Sequence, residues 1–121
     1  LRAVRSLFDN ARSEAMRFND TVSLQVAGRD VRVVDSGGTV LRNHVVGEKF
    51  TMQDPPGAET PVSTFTFDAN GGLAGNGGAM YVTDRRDNYF RLWVTPFMGS
   101  PRIEMWNGSI WSPRREDWVW K

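Results

Sequence analysis

The chain reads as an α+β fold, an N-terminal amphipathic helix packed on antiparallel β-sheets, and three observations predict it. Apolar residues between Leu1 and Phe18 recur at helical spacing without a break. From residue 21 onward the chain divides into short runs rich in Val, Thr, Tyr, Phe and Trp. Gly, Pro and Asn-Gly punctuation falls between those runs, and no second long amphipathic helix follows. Sheets built from such runs need an apolar stripe to cover them, and the opening helix supplies it.

Within residues 1–18, Leu1, Val4, Leu7, Phe8, Ala11, Ala15 and Phe18 share one helix face. Arg2, Arg5, Asp9, Arg12, Ser13 and Glu14 fill the rest of the cylinder, with Asp9/Arg12 and Glu14/Arg17 spaced to pair along it. The composition favours a helix and contains neither Gly nor Pro. Asn19-Asp20 ends it. No capping residue opens the helix and its pattern is already running at residue 1, so it is expected to continue upstream of this sequence.

At 121 residues the chain is expected to form one domain, residues 1–121, with a core that needs no cross-links. A net charge of +1 provides no overall basic excess to drive nucleic-acid or membrane binding. Without cysteine there can be no disulfide and no thiolate metal site. No apolar run approaches the ~18 residues of a membrane span.

Val22, Leu24 and Val26 alternate with polar residues and predict a strand. After the turn Ala27-Gly28-Arg29, residues 30–35 return as its hairpin partner. Val40, Leu41, Val45 and Val46 predict a short strand and a bend, and Phe50-Thr51-Met52 another extended piece. Residues 53–61 hold Pro55 and Pro56 and read as a surface loop. A strand over 62–67 buries Phe65 and Phe67, and the glycine-rich stretch 68–78 reads as a wide loop. Residues 79–83 and 89–95 pair across the charged turn Asp84 to Asn88. At the end, Asn107-Gly108 predicts a two-residue turn that pairs Met105 with Ile110 and sets Trp106 and Trp111 on one face. Trp118 and Trp120 point the same way. The total is about seven or eight strands.

No residue pattern points to an enzyme. His44 is the one histidine and has no nucleophile motif beside it. The Asp68/Asn70 loop fails as a calcium loop, since Gly72 and Ala79 stand where ligands are needed. Gly75 to Gly78 is not a phosphate loop, because neither a GK[ST] ending nor a long helix follows. Asp84/Asp87 and Glu116/Asp117 lie in polar turns, where acidic residues are ordinary. The C-terminal cluster is more informative. Trp106, Trp111, Trp118 and Trp120 interleave with Arg102, Arg114, Arg115 and Lys121, a composition suited to single-stranded nucleic acid or a flat protein surface. Against nucleic acid, Glu104, Glu116 and Asp117 leave a local excess of one positive charge. Trp106 and Trp111 read as sheet-stabilising fillers of a small core, whereas Trp118 and Trp120 read equally as packing or as partner contacts.

The order of elements resembles the soluble part of type IV pilin-like proteins of the GspH/FimT group, the minor pseudopilins and minor pilins. The resemblance runs through LFDNARSEAM at Leu7 to Met16, where the group's helix ends in a similar A-R-S-E-A run. It continues in Thr21 to Leu24, in Phe67 to Gly72, which is similar to an F-x-x-x-G before a glycine-rich turn, in residues 79–82 and 89–95, and in Gly99 to Arg102, similar to a G-x-x-R ending. The F-T-L-I-E start of the group is not in this sequence, the Trp-rich tail 107–121 is longer than the pattern, and Pro113-Arg114-Arg115-Glu116 departs from the G-R-x-R of members that take up DNA.

The resemblance implies a non-enzymatic structural subunit of a type IV pilus or type II secretion pseudopilus, with no cofactor and no small-molecule substrate. Its partners would be other pilin or pseudopilin subunits. An apolar segment upstream would anchor it in the inner membrane, with the head in the periplasm or on a surface filament. Arg2, Arg5, Arg12 and Arg17 become candidate subunit contacts, with plain solvated charge the alternative. Arg114, Arg115, Trp118, Trp120 and Lys121 form the candidate surface for a partner. The rival functions are a DNA-binding minor pilin and a glycan- or peptide-binding module.

Overall fold

The computed structural model describes residues 2–47, 50–51, 63–75, 77–96 and 101–121. The loop read over 53–61, together with Met52 and Val62, lies outside them, as do Leu1 and Gly99-Ser100. Among the described residues the chain forms one long helix, α1 (Arg2–Phe18), and nine strands. These are β1 (Val22–Ala27), β2 (Asp30–Asp35), β3 (Val40–Val45), β4 (Phe50–Thr51), β5 (Thr64–Phe67), β6 (Gly78–Asp84), β7 (Tyr89–Val94), β8 (Arg102–Trp106) and β9 (Trp111–Ser112). They make two antiparallel sheets, a first in the order β3-β2-β1-β5 and a second in the order β4-β6-β7-β8-β9.

The α1 stripe buries Val4, Leu7, Phe8, Ala11 and Ala15. It lies over β1 and β2 and reaches β3 and β5. Ala11 and Ala15 are fully buried, so the helix axis can approach the sheet closely where they sit. Phe8 meets Phe65 of β5 edge to face, with ring centroids 4.9 Å apart. The helix stops on a Schellman motif. Asn19 takes the left-handed conformation at φ 53°, its N–H donates to the Met16 carbonyl, and the Asp20 N–H donates to the Ala15 carbonyl. That turn swings Phe18 off the stripe. Against expectation Phe18 is exposed, with the Arg17 guanidinium 5.0 Å over its ring.

In the first sheet the β1–β2 hairpin forms as expected, but its turn has two residues rather than three: Ala27 pairs with Asp30 inside the ladder, and Gly28 takes φ 60°. Val22, Leu24, Val31, Val33, Phe65 and Phe67 form its inner face. β3 is a full six-residue strand rather than a short one with a bend, and its register on β2 shifts between Val33 and Val34. Of the stretch 68–78 read as a wide loop, residues 68–73 fold tightly. Asp68 caps a tight turn, its Oδ1 accepting the N–H groups of Asn70 and Gly72, and the chain folds back so that Leu73 bridges Phe67 and packs on the core.

The second sheet contributes Met80, Leu92 and Val94 to the same core as the helix and first sheet. Val82, Phe90 and Met105 form an adjoining cluster with Phe50 and Trp118 against it. The register of the last hairpin differs from expectation. Met105 pairs with Ser112 and Trp106 with Trp111, so the connection has four residues. The Asn107 side chain makes the turn, its Oδ1 accepting the N–H groups of Ser109 and Ile110. Ile110 is left exposed.

One side chain holds the passage between the sheets. Arg29, in the β1–β2 turn, donates to the carbonyls of Val46 and Gly47 from Nη1 and to that of Phe50 from Nη2, at 2.7–3.0 Å. Its own carbonyl accepts the Val46 N–H. The guanidinium fork suits this multiple bonding, which a lysine ammonium could not reproduce in one geometry.

Two stability outcomes follow from close packing. At Gly77 (φ +80°) an added Cβ would lie 2.1 Å from the Val94 carbonyl oxygen, whereas at Gly75 (also φ +80°) it would meet open space. Gly75→Ala is expected to cost about 1 kcal/mol from backbone strain alone, and Gly77→Ala clearly more, as read by chemical denaturation. Glu104 is buried and accepts a 2.6 Å bond from Arg91 Nε. Glu104→Ala is expected to cost about 3 kcal/mol, because Arg91 is left without its partner.

Candidate functional site

After β9 the chain does not leave the molecule. Pro113 breaks the ladder, and a single 3-10 turn at Arg115–Asp117, closed by the Asp117 N–H on the Arg114 carbonyl, reverses its direction. Trp118 then returns under the sheet, its indole Nε1 donating to the Ser112 carbonyl at 2.8 Å. Phe90 becomes the centre of an aromatic group, with ring centroids 5.6 Å from Trp118, 5.7 Å from Trp120 and 6.3 Å from Phe50. Trp118 and Trp120 also touch each other, 5.8 Å apart.

The tail is fastened by a polar relay. Asp84 opens the β6–β7 turn, its Oδ1 accepting the N–H groups of Arg86 and Asn88 and its Oδ2 accepting the Asn88 side-chain amide. With its amide nitrogen so occupied, Asn88 turns its Oδ1 to the Lys121 N–H at 2.8 Å. Partial burial pushes the Asp84 carboxyl up, but the hydrogen bonds from Asn88 and Arg86 and the Arg86 charge outweigh it and hold the group below the usual carboxylate range. Asp20 is also lowered, by the Ser36 hydroxyl and then the Thr21 N–H.

A groove of about 450 Å³ opens between the first turns of α1 and this aromatic group. Phe50, Phe90, Ile103, Pro113, Trp118 and Trp120 supply its apolar surface. Arg2 and Arg5 from the helix and Arg102 and Arg115 from the second sheet and its tail supply the cations. Arg115 rests 5.6 Å over Trp118. The groove brings together two of the helix arginines and three of the tail residues that sequence reasoning singled out separately.

The others lie elsewhere. Arg12 is half-buried and donates from Nε to the Gly71 carbonyl at 3.0 Å, so it holds the Asp68 turn. Arg17 lies 3.8 Å from Glu14, an anticipated pair. Arg114 is exposed and does not line the groove, and the Lys121 ammonium stands 5.8 Å over Tyr89. Trp106 and Trp111 pair, 5.4 Å apart, but they do not fill a core. They are half-buried on the outer face, where Arg91 lies between Trp93 and Trp111 at 4.7 and 4.8 Å. His44 is half-buried on β3 across from Val31. Among the described residues no three His, Asp or Glu side chains gather as a metal site would need. Sequence reasoning missed Phe50, Phe90, Ile103 and Pro113; their only sequence signal is apolar character.

This fold, one long helix laid on antiparallel sheets, is that of the pilin-like proteins. Residues 1–96 match the family model described as "Type II transport protein GspH", and the chain belongs to that family, within the type IV pilin-like GspH/FimT group. Two crystal structures of the type IV minor pilin FimU of Pseudomonas aeruginosa share the fold. One, in space group P65, is 23% identical with a TM-score of 0.60, over 91% of this chain and 92% of that one. The other, in space group P21, is 22% identical with a TM-score of 0.62, over 91% and 87%. A comparison with curated proteins finds no match. The family match ends before Arg102, Arg115, Trp118 and Trp120, so it does not account for the tail's side of the groove. Among the described residues no helix is long and apolar enough to cross a membrane.

The tail relay has a pH signature. Because the native pKa of Asp84 lies below its unfolded value, its contribution to stability is complete above about pH 4 and is lost as pH falls through the native value. Thermal melts from neutral pH into acid are therefore expected to show a shallower loss of Tm in Asp84→Asn than in the wild type.

Proposed function

We propose that this chain is the globular head of a minor pilin or pseudopilin, a structural and non-enzymatic subunit of a type IV pilus or a type II secretion pseudopilus. The observation that carries this reading is the two-faced α1. Its apolar stripe is consumed inside the head, while Arg2, Arg5, Ser13 and Arg17 remain on the exposed face. A subunit built this way can present one helix face to its neighbours without opening its own core. Membership of the GspH family supports the same role.

In this reading α1 continues into an upstream apolar segment of about 20 residues, the length that spans a bilayer. Such a segment has no stable surroundings except lipid or its own copies in a bundle. The head would then stand in the periplasm or on the filament.

Two measurements test this. The codons ahead of Leu1 are expected to encode a short basic leader and that apolar segment; a polar linker there removes the assembly role. A photo-cross-linking amino acid at Ser13, in the protein produced with its upstream sequence in its own host, is expected to give adducts with other pilin-like subunits. Monomer alone under assembly conditions would overturn the reading.

A further inference from the structure

The geometry points to the groove beneath Trp118 and Trp120 as a docking site for an acidic peptide segment, a short extended stretch with one or two carboxylates beside an apolar side chain. Among the described residues, four guanidinium groups line the groove and no carboxylate does. Among the described residues the ion pairs are Arg17–Glu14, Arg32–Asp30 and Arg91–Glu104, so Arg2, Arg102 and Arg115 bring uncompensated charge to one place in a chain of net charge only +1. Guanidinium forks bind carboxylates in bidentate geometry.

The shape of the groove suits the same ligand. The floor around Phe90 is apolar, and about 450 Å³ lies within the range of sites that enclose a small ligand or a few residues. One apolar side chain on the floor with carboxylates at the rim satisfies both surfaces. Arg115 is held over Trp118 and the tail is tied down at Asn88, so part of the ordering cost is met before binding.

A protein segment fits better than single-stranded nucleic acid. Trp118, the ring a base would stack on, is already packed against Phe90 and Trp120 and covered by Arg115. A polyanion leaving the groove would also pass Glu116 and Asp117, which lie exposed beside it in sequence. That the segment comes from a neighbouring subunit rests on the filament reading; the preference for an acidic peptide does not.

The test is fluorescence anisotropy on the 121-residue chain. One probe is a labelled, end-blocked pentapeptide Gln-Leu-Asp-Leu-Glu; the others are its Gln-Leu-Asn-Leu-Gln counterpart and a labelled oligothymidylate. The acidic peptide is expected to bind at low salt and to weaken as salt rises. The neutral counterpart is expected to bind about tenfold or more weakly. Arg102→Gln and Arg115→Gln should each weaken the acidic peptide about five- to tenfold, the size of a lost charge-assisted hydrogen bond. The pair Arg17→Gln with Arg42→Gln, which removes the same charge outside the groove as both groove variants together, should leave binding within about twofold. All variants are first matched for Tm, since each change is at an exposed position. Equal binding of the neutral peptide, no binding of the acidic one, or equal losses in the control pair would each overturn the proposal. Tighter binding of the oligothymidylate with the same arginine dependence would assign the groove to nucleic acid instead. Because no assembly step enters this measurement, its failure is separable from failure of the filament reading.

Discussion

A single stripe on α1 is the constraint on which the rest depends. Two sheets of short strands cannot bury their inner faces against each other alone, and Val4, Leu7, Phe8, Ala11 and Ala15 join a core that also takes Leu24, Val33 and Phe65 from one sheet and Met80, Leu92 and Val94 from the other. The two alanines let the helix close on the sheet, and the Phe8–Phe65 contact fixes its rotation. Because that face is used up, the arginines are forced outward, and the position of the groove at the helix's first turns is a by-product of how the core is closed.

Polar clamps then set what the apolar contacts leave undetermined. Arg29 gathers three carbonyls of the crossing between the sheets and so delivers Phe50 to the edge of the second sheet. Asp84 orients Asn88, which holds the tail and its tryptophans against Phe90. Arg12 holds the Asp68 turn by the Gly71 carbonyl. Each clamp joins positions distant in sequence, and each uses a side chain whose residue type would be unremarkable on a surface.

That is also why the fold was more legible than the site. Helical spacing in α1 and alternation in β1, β2, β5 and β7 are local signals, and they survive folding because burial acts on them directly. The β8–β9 register was misread where two local signals compete. Asn107-Gly108 favours a two-residue turn, yet the Asn107 side chain can close a longer one, and the longer turn lets Trp106 face Trp111. Glycine density at 68–78 reads as width, though Asp68 makes a compact turn over 68–72. The groove joins Arg2 to Trp120 across nearly the whole chain, and no spacing rule reaches that far. Arg2, Arg5, Arg115, Trp118 and Trp120 were found as types, but their meeting was not.

The placement of the indoles has a practical meaning. All five tryptophans belong to β7, β8, β9 or the tail that follows, and neither α1 nor the first sheet holds one. Near-ultraviolet emission therefore reports on one half of the molecule, while the helical circular dichroism comes almost wholly from the other. Whether the two halves melt as one cooperative unit can be decided optically, on the unlabelled chain, in a single heating experiment.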